Sequence, residues 1–231
     1  MRPGIGLRAH AAIFIPWGPS MGGRITRLRA LRSGRVAVYL DGRRALVLTA
    51  LEAARLRPGQ ILSDEEIDRL CQRDRLEQAH EAALRFLGYR PRSEREVADY
   101  LRRKGFEPDL VAAEIERLRR AGLVDDRAFA RFWVENRMAF RPRSRRALQV
   151  ELRRKGIPPA IIQEVLQEVS GDERAMALRL ARERARRLQG VDPQTFRRRL
   201  AGYLSRRGFD PELVGEVLRA LAAERGLEGG L

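Results

Sequence analysis

YRPRSEREVADYLRRKGF, residues 89 to 106, and FRPRSRRALQVELRRKGI, residues 140 to 157, are nearly one sentence written twice at an interval of 51 residues. A third and looser copy closes on LSRRGF at Phe209, 52 residues beyond Ile157. Self-similarity at a period of about fifty residues is the mark of a repeat architecture. The apolar positions carry over at the same offsets. Val97, Leu148 and Leu200 correspond, each with a partner one turn on at Leu101, Leu152 and Leu204. Beyond the shared glycine, Leu110, Ile161 and Leu213 match, as do Val111, Ile162 and Val214, then Ile115, Leu166 and Leu218. Spacings of one, four and five place one stripe of each helix inward.

The polar punctuation sets the helix ends. Ser93 with Glu96 has the form of a capping box after Pro91. Gly105, Gly156 and Gly208 stand where a helix must stop in left-handed geometry, each followed by an apolar residue. Pro108, Pro159 and Pro211 then open the next helix, where a missing amide hydrogen costs nothing. Each unit is therefore three helices, A, B and C. The fold class is mainly α: a tandem array of three three-helix repeats burying a continuous core mainly against their neighbours. Asp125-Asp126 follows the helix-ending Gly122 and reads as an N-cap rather than a metal-binding pair. The stripe Phe129, Trp133, Asn136 and Phe140 reads as core packing.

Ahead of the repeats the period changes to that of strands. GRITRLRAL, GRVAVYL and RRALVL are short runs, the last two parted by Asp41-Gly42, whose type I′ turn marks a hairpin. A three-stranded β-meander is expected, followed by capping boxes at TALE (Thr49–Glu52) and SDEE (Ser63–Glu66) around a Pro58-Gly59 turn. The expected division is 1–22 a disordered leader with Met21 as a candidate start, 23–75 a small N-terminal β-meander plus helix module, 76–126, 127–169 and 170–226 the repeats, and 227–231 a tail.

The bulk chemistry narrows the functional classes. Of 231 residues, 47 are Lys or Arg and 31 are Asp or Glu, a formal charge of +16 that favours a polyanionic partner. Only Lys104 and Lys155 are lysines, so the excess is guanidinium, which a GC-rich coding bias would also produce. One cysteine, Cys71, precludes an internal disulfide and points to a reducing, cytoplasmic setting. His10 and His80 stand alone, so no His/Cys metal site, and no cofactor, is expected. The run AAIFIPW is too short to span a bilayer, and no membrane association is expected. The acids are scattered through caps and helix faces, so no catalytic residues are assigned.

The middle repeat, 127–169, holds 10 basic residues against 4 acidic ones. They gather on helix B and the loop before it, at Arg141, Arg143, Arg145, Arg146, Arg153, Arg154 and Lys155. The first repeat offers Arg90, Arg92, Arg102, Arg103 and Lys104 in the same places. The helix dipole by itself accounts for cations at the C-terminal end, but it disfavours them at the N-terminal end. Cations at both ends of one helix are better explained by an external anion. Gln149 is the only base-reading side chain besides arginine on the middle helix B, so backbone or protein-surface contact is favoured over sequence reading.

RFLGYRPRSEREVADYLRRKGF, then LVDDRAFARFWVENR, then LRRKGI resemble the RecX family of bacterial recombination regulators, over about residues 23 to 220. YLDGRRALVLTA and RPGQILSDEEI resemble the extension found in many members. The resemblance implies a non-enzymatic protein, expected as a monomer, that binds the RecA filament on single- or double-stranded DNA. It implies restraint of that filament's ATPase, strand-exchange and co-protease activities in recombination and the SOS response. The competing reading from charge alone is a sequence-independent DNA-binding or architectural protein acting without RecA.

Overall fold

The computed structural model describes residues 22–169 and 171–224; the expected leader up to residue 21, the start at Met21 and the whole of the expected tail lie outside them. The chain forms two compact units, one of residues up to Arg92 together with Glu96–Leu123, the other of Ser93–Arg95 together with Val124 onward.

In the first unit, strands β1 (Gly23–Ala30), β2 (Val36–Leu40) and β3 (Arg43–Leu48) form the expected antiparallel meander. Asp41 and Gly42 both take positive φ, 49° and 82°, as a type I′ hairpin requires. The expectation of three strands needs correction. A two-residue strand β4 (Ile61–Leu62) pairs with β1 and makes a four-stranded sheet in the order β3-β2-β1-β4. Two residues are too few to show an alternating pattern. Between β3 and β4 lies α1 (Ala50–Ala53), and after β4 comes α2 (Asp64–Leu87).

Ser63 and Glu66 complete the reciprocal capping box of α2. Thr49 caps α1, accepting from the Glu52 N–H at 3.5 Å, but Glu52 does not reach back. Its buried carboxylate instead meets Arg55 at 3.0 Å and Arg73 at 3.3 Å. One face of the sheet, with Ile25, Val38, Leu40 and Leu48, packs on Ile67 and Leu70 of α2. Buried Asp74 ties the same layers, accepting from the Thr49 N–H, Arg35 and Gln78. Helix α2 is unbroken across residues 75 and 76, so the N-terminal module and the first repeat share it. Helices α3 (Glu94–Arg103) and α4 (Pro108–Arg120) follow, and buried Glu114 of α4 meets His80 of α2 at 2.7 Å.

The second unit holds α5 (Asp126–Phe140), α6 (Arg145–Arg154), α7 (Pro159–Val169), α8 (Glu173–Arg186), α9 (Pro193–Arg206) and α10 (Pro211–Glu224). The helix-B residues Val97, Leu101, Leu148, Leu152, Leu200 and Leu204 are all 1% exposed or less. At each shared glycine the following amide closes back on the later of the two buried apolar residues of its helix B: Phe106 on Leu101, Ile157 on Leu152, Phe209 on Leu204. These are Schellman ends, with glycine φ between 83° and 90°. Asp125 caps α5, accepting from the Arg127 and Ala128 N–H groups.

Two packing expectations are corrected. The second and third repeats have separate cores: Phe129, Val134, Leu148, Leu152, Ile162 and Val165 in one, and Met176, Leu180, Leu200, Leu204, Val214 and Val217 in the other. Among the described residues only Met138, partly buried, packs against both. The apolar stripes of helices B and C close on helix A of their own repeat, which leaves little apolar surface for a neighbour. The aromatic stripe of α5 holds at Phe129 and Trp133, which packs against the same core, and fails at exposed Asn136 and Phe140. Phe129 is core, but Trp133 is half-buried and Phe140 is 77% exposed. Small Ala130 and aliphatic Val134 take the inward positions instead.

Candidate functional site

Helix α6 is set by what lies at its two ends. Ser144 is its N-cap, accepting from the Ala147 N–H at 3.1 Å while its hydroxyl donates to the Gly208 carbonyl at 2.6 Å. The Ser144 N–H donates to the Arg207 carbonyl, and the Arg145 N–H to Glu173. Arg207 in turn donates to the Pro142 carbonyl. The RPRS segment of the middle repeat is therefore fastened to the glycine turn of the third. Ser93 does the same one repeat earlier, donating to the Lys155 carbonyl at 2.6 Å. This polar lock accounts for half of the duplicated sentence: RPRS is the tongue and the RRKG or SRRG turn the slot.

The twelve basic residues expected to meet an anion separate by what they touch. Arg143 serves the lock, with its guanidinium 3.0 Å from the Arg206 carbonyl and 3.4 Å from Glu151. Arg90 is forked onto Glu96 and also donates to the Pro91 carbonyl. Arg92 lies 3.9 Å over the Phe86 ring, which stacks on Tyr100. Its burial, with Arg90 nearby, pulls its pKa below the usual arginine value. Arg102 pairs with Asp99, and Lys104 stands 5.6 Å over Tyr100. Lys155 stands 4.7 Å over Trp133, whose indole donates to Glu151.

The other six, Arg103, Arg141, Arg145, Arg146, Arg153 and Arg154, are exposed, with no side-chain partner among the described residues. Four of them lie on α6. Arg146 and Arg153 are seven residues apart, two helical turns, and so share its outward face. Beside them an open groove of about 510 Å³ has Arg145, Arg146, Gln149, Gln163, Gln167 and Glu173 on its walls and Ile162 and Leu166 on its floor. A guanidinium held only by its backbone is a ready donor fork for phosphate or carboxylate.

Sequence reading passes over two further members. Arg197 and Arg199 of α9 are exposed and without a side-chain partner among the described residues. Arg197 falls 52 residues after Arg145, so the repeat offset by itself points to it. The altered GVDPQ loop before α9 hides the match.

Against known proteins, the profile described as "RecX, first three-helix domain" matches residues 79–118. The second and third three-helix domains of RecX match 125–166 and 172–218. A regulatory protein RecX of Geobacillus thermodenitrificans is 32% identical over 188 residues, 79% of this chain and 70% of that one. A regulatory protein RecX of Mycobacterium tuberculosis is 41% identical over 158 residues, 66% of this chain and 91% of that one. A crystal structure of a regulatory protein RecX superposes with a TM-score of 0.66 at 24% identity, covering 84% of this chain and 98% of the other.

Proposed function

This chain belongs to the RecX family of regulatory, non-enzymatic proteins, and from that premise we propose that it binds the RecA–DNA filament and restrains it. The restrained activities are ATP turnover, strand exchange and co-protease function, in the cytoplasm, with the protein acting as a monomer. The observation that carries the reading is the set of guanidiniums on α6 with no side-chain partner among the described residues, presented at both ends of one helix beside an open groove. Cations that meet no carboxylate among the described residues are available for an anion from outside. Acidic RecA surface and the phosphates of the DNA it holds both fit, and weak contacts summed along a filament reach useful affinity.

The test is a titration into preformed RecA filaments on single-stranded DNA, following ATP turnover and DNA release together. Replacing Arg145, Arg146, Arg153 and Arg154 by alanine is expected to weaken inhibition of turnover. Equal inhibition by the variant and the wild type would remove α6 from the contact. Inhibition that tracks occupancy of naked DNA, with no dependence on RecA, would favour the architectural reading instead.

A further inference from the structure

Strands β1, β2 and β3 carry five arginines, Arg24, Arg27, Arg29, Arg43 and Arg44, and no acid. None of the five guanidiniums has a carboxylate partner among the described residues. Three of them share the outward face of the sheet because of two irregularities. The β1–β2 register runs Ile25 to Leu40 and then Arg27 to Tyr39, which skips Thr26. The β2–β3 register runs Val38 to Leu46 and then Tyr39 to Arg44, which skips Ala45.

Side chains alternate along a strand, so without the first bulge Arg27 would share the inward face with Ile25. Without the second, Ala45 would stand opposite Tyr39 and Arg44 would turn inward. With both, Arg27, Tyr39 and Arg44 form one row across three strands, while Leu28, Val38 and Leu46 keep the core side. Arg29 lies two residues along β1 from Arg27 and so on the same face. Bulges that cost ladder hydrogen bonds and deliver a positive row to solvent are a feature a stability argument alone does not explain.

The row has a built centre. The Arg27 guanidinium lies 4.2 Å over the Tyr39 ring. Hydrogen bonding by Arg27, and then by Arg29, holds the Tyr39 hydroxyl below its usual pKa. A planar cation stacked on a ring offers a flat surface for a base, and the exposed guanidiniums on either side offer forks for phosphates.

We propose that the outward face of the N-terminal sheet is a contact surface for a single nucleic-acid strand, with a base on the Arg27–Tyr39 stack and phosphates on Arg29 and Arg44. An acidic protein segment would use the same charges but has no use for the stack. This surface lies in the first unit and needs no second protein, so it stands or falls separately from the filament reading.

The experiment uses the full chain and fluorescein-labelled oligo(dT), with anisotropy measured across a range of salt. R27A/R29A/R44A is expected to weaken binding by about tenfold or more and to flatten the slope of log K against log salt by about 1.4, roughly 0.7 for each of the two phosphates left without its arginine. Tyr39→Leu is expected to cost about tenfold with the slope unchanged. R27K/R29K/R44K keeps the charge and retains the salt slope. Unchanged affinity and slope in R27A/R29A/R44A overturn the proposal, as does a weakening confined to duplex DNA. Photo-cross-linking of a bromodeoxyuridine strand to the wild-type chain guards against a folding defect in the variants. Cross-links within residues 24–46 are expected, and cross-links confined to the helical repeats overturn the proposal.

Discussion

The Ser144 hydroxyl donates to the Gly208 carbonyl at 2.6 Å, joining the head of one helix B to the tail of the next. Ser144 is 1% exposed, so no water replaces it if it is removed. Ser144→Ala leaves both the Gly208 carbonyl and the Ala147 N–H without this partner. The expected cost is about 1 to 2 kcal/mol, read as a lower urea midpoint of the second unit. An unchanged midpoint would mean the lock is incidental.

Gly208→Ala is expected to cost more than Ser144→Ala. Its φ is 90°, in a region that only glycine adopts cheaply. A Cβ there would also stand 2.6 Å from the Ala147 Cβ and 2.7 Å from the Ser144 Oγ. Both effects act together, and roughly 2 kcal/mol or more is expected from backbone strain and overpacking. Gly122→Ala supplies the comparison: the same left-handed geometry, φ 68°, with nothing within 4 Å of the added carbon. Equal destabilisation at the two positions would show that the close approach contributes nothing.

Arg143 and Arg146 are expected to separate stability from activity. Arg143 reaches the Arg206 carbonyl and Glu151, whereas Arg146 reaches no side chain among the described residues. Arg143→Ala should destabilise the second unit by about 1 kcal/mol, read from its urea midpoint. Arg146→Ala should leave the midpoint unchanged and reduce inhibition of RecA ATP turnover. The opposite pattern would reverse the assignment of the two residues.

The contrast between these arginines also shows where sequence stops being informative. Helix B is legible because Val97, Leu148 and Leu200 repeat in phase with a glycine stop, and local chemistry dictates both features. The Asp41-Gly42 hairpin is legible for the same reason. The function of Arg143 is not, since its partner, the Arg206 carbonyl, lies 63 residues away and is a backbone atom with no sequence signature. Separate cores are equally hidden: an apolar stripe shows that a face is buried but not whether its own repeat or the next one covers it. The two bulges that turn Arg27 and Arg44 outward break the period-two pattern by one residue each, which in runs this short looks like noise.

Asp74 is expected to be the least replaceable polar residue of the first unit. It is buried and accepts from the Thr49 N–H, the Arg35 guanidinium and the Gln78 amide. Asp74→Ala would strand a buried backbone donor and leave Arg35 without its carboxylate. The expected destabilisation is about 3 kcal/mol, with Asp74→Asn recovering part of it. Thermal unfolding of the full chain reads this as a lower transition for the first unit. A variant as stable as the wild type would show that the sheet and α2 are held by apolar packing alone.

Acid should loosen the second unit through its interhelical carboxylates. Glu168 is held below the ordinary glutamate value of 4.5 by its hydrogen bond to Arg127, with Arg131 adding to it. Glu224 is held below it by Arg182. In both cases the folded carboxylate is the stronger acid, so on acidification the unfolded chain takes up the proton first. The stability these pairs contribute is therefore fully present above the ordinary value and is lost as pH falls through the lower folded value. Urea midpoints followed by circular dichroism should be level between about pH 7 and 5 on this account and fall below about pH 4. E168Q/E224Q should start lower at neutral pH and show a shallower acid limb, because the neutral amides have no proton to gain. An acid limb as steep in that variant as in the wild type would assign the acid sensitivity to other carboxylates.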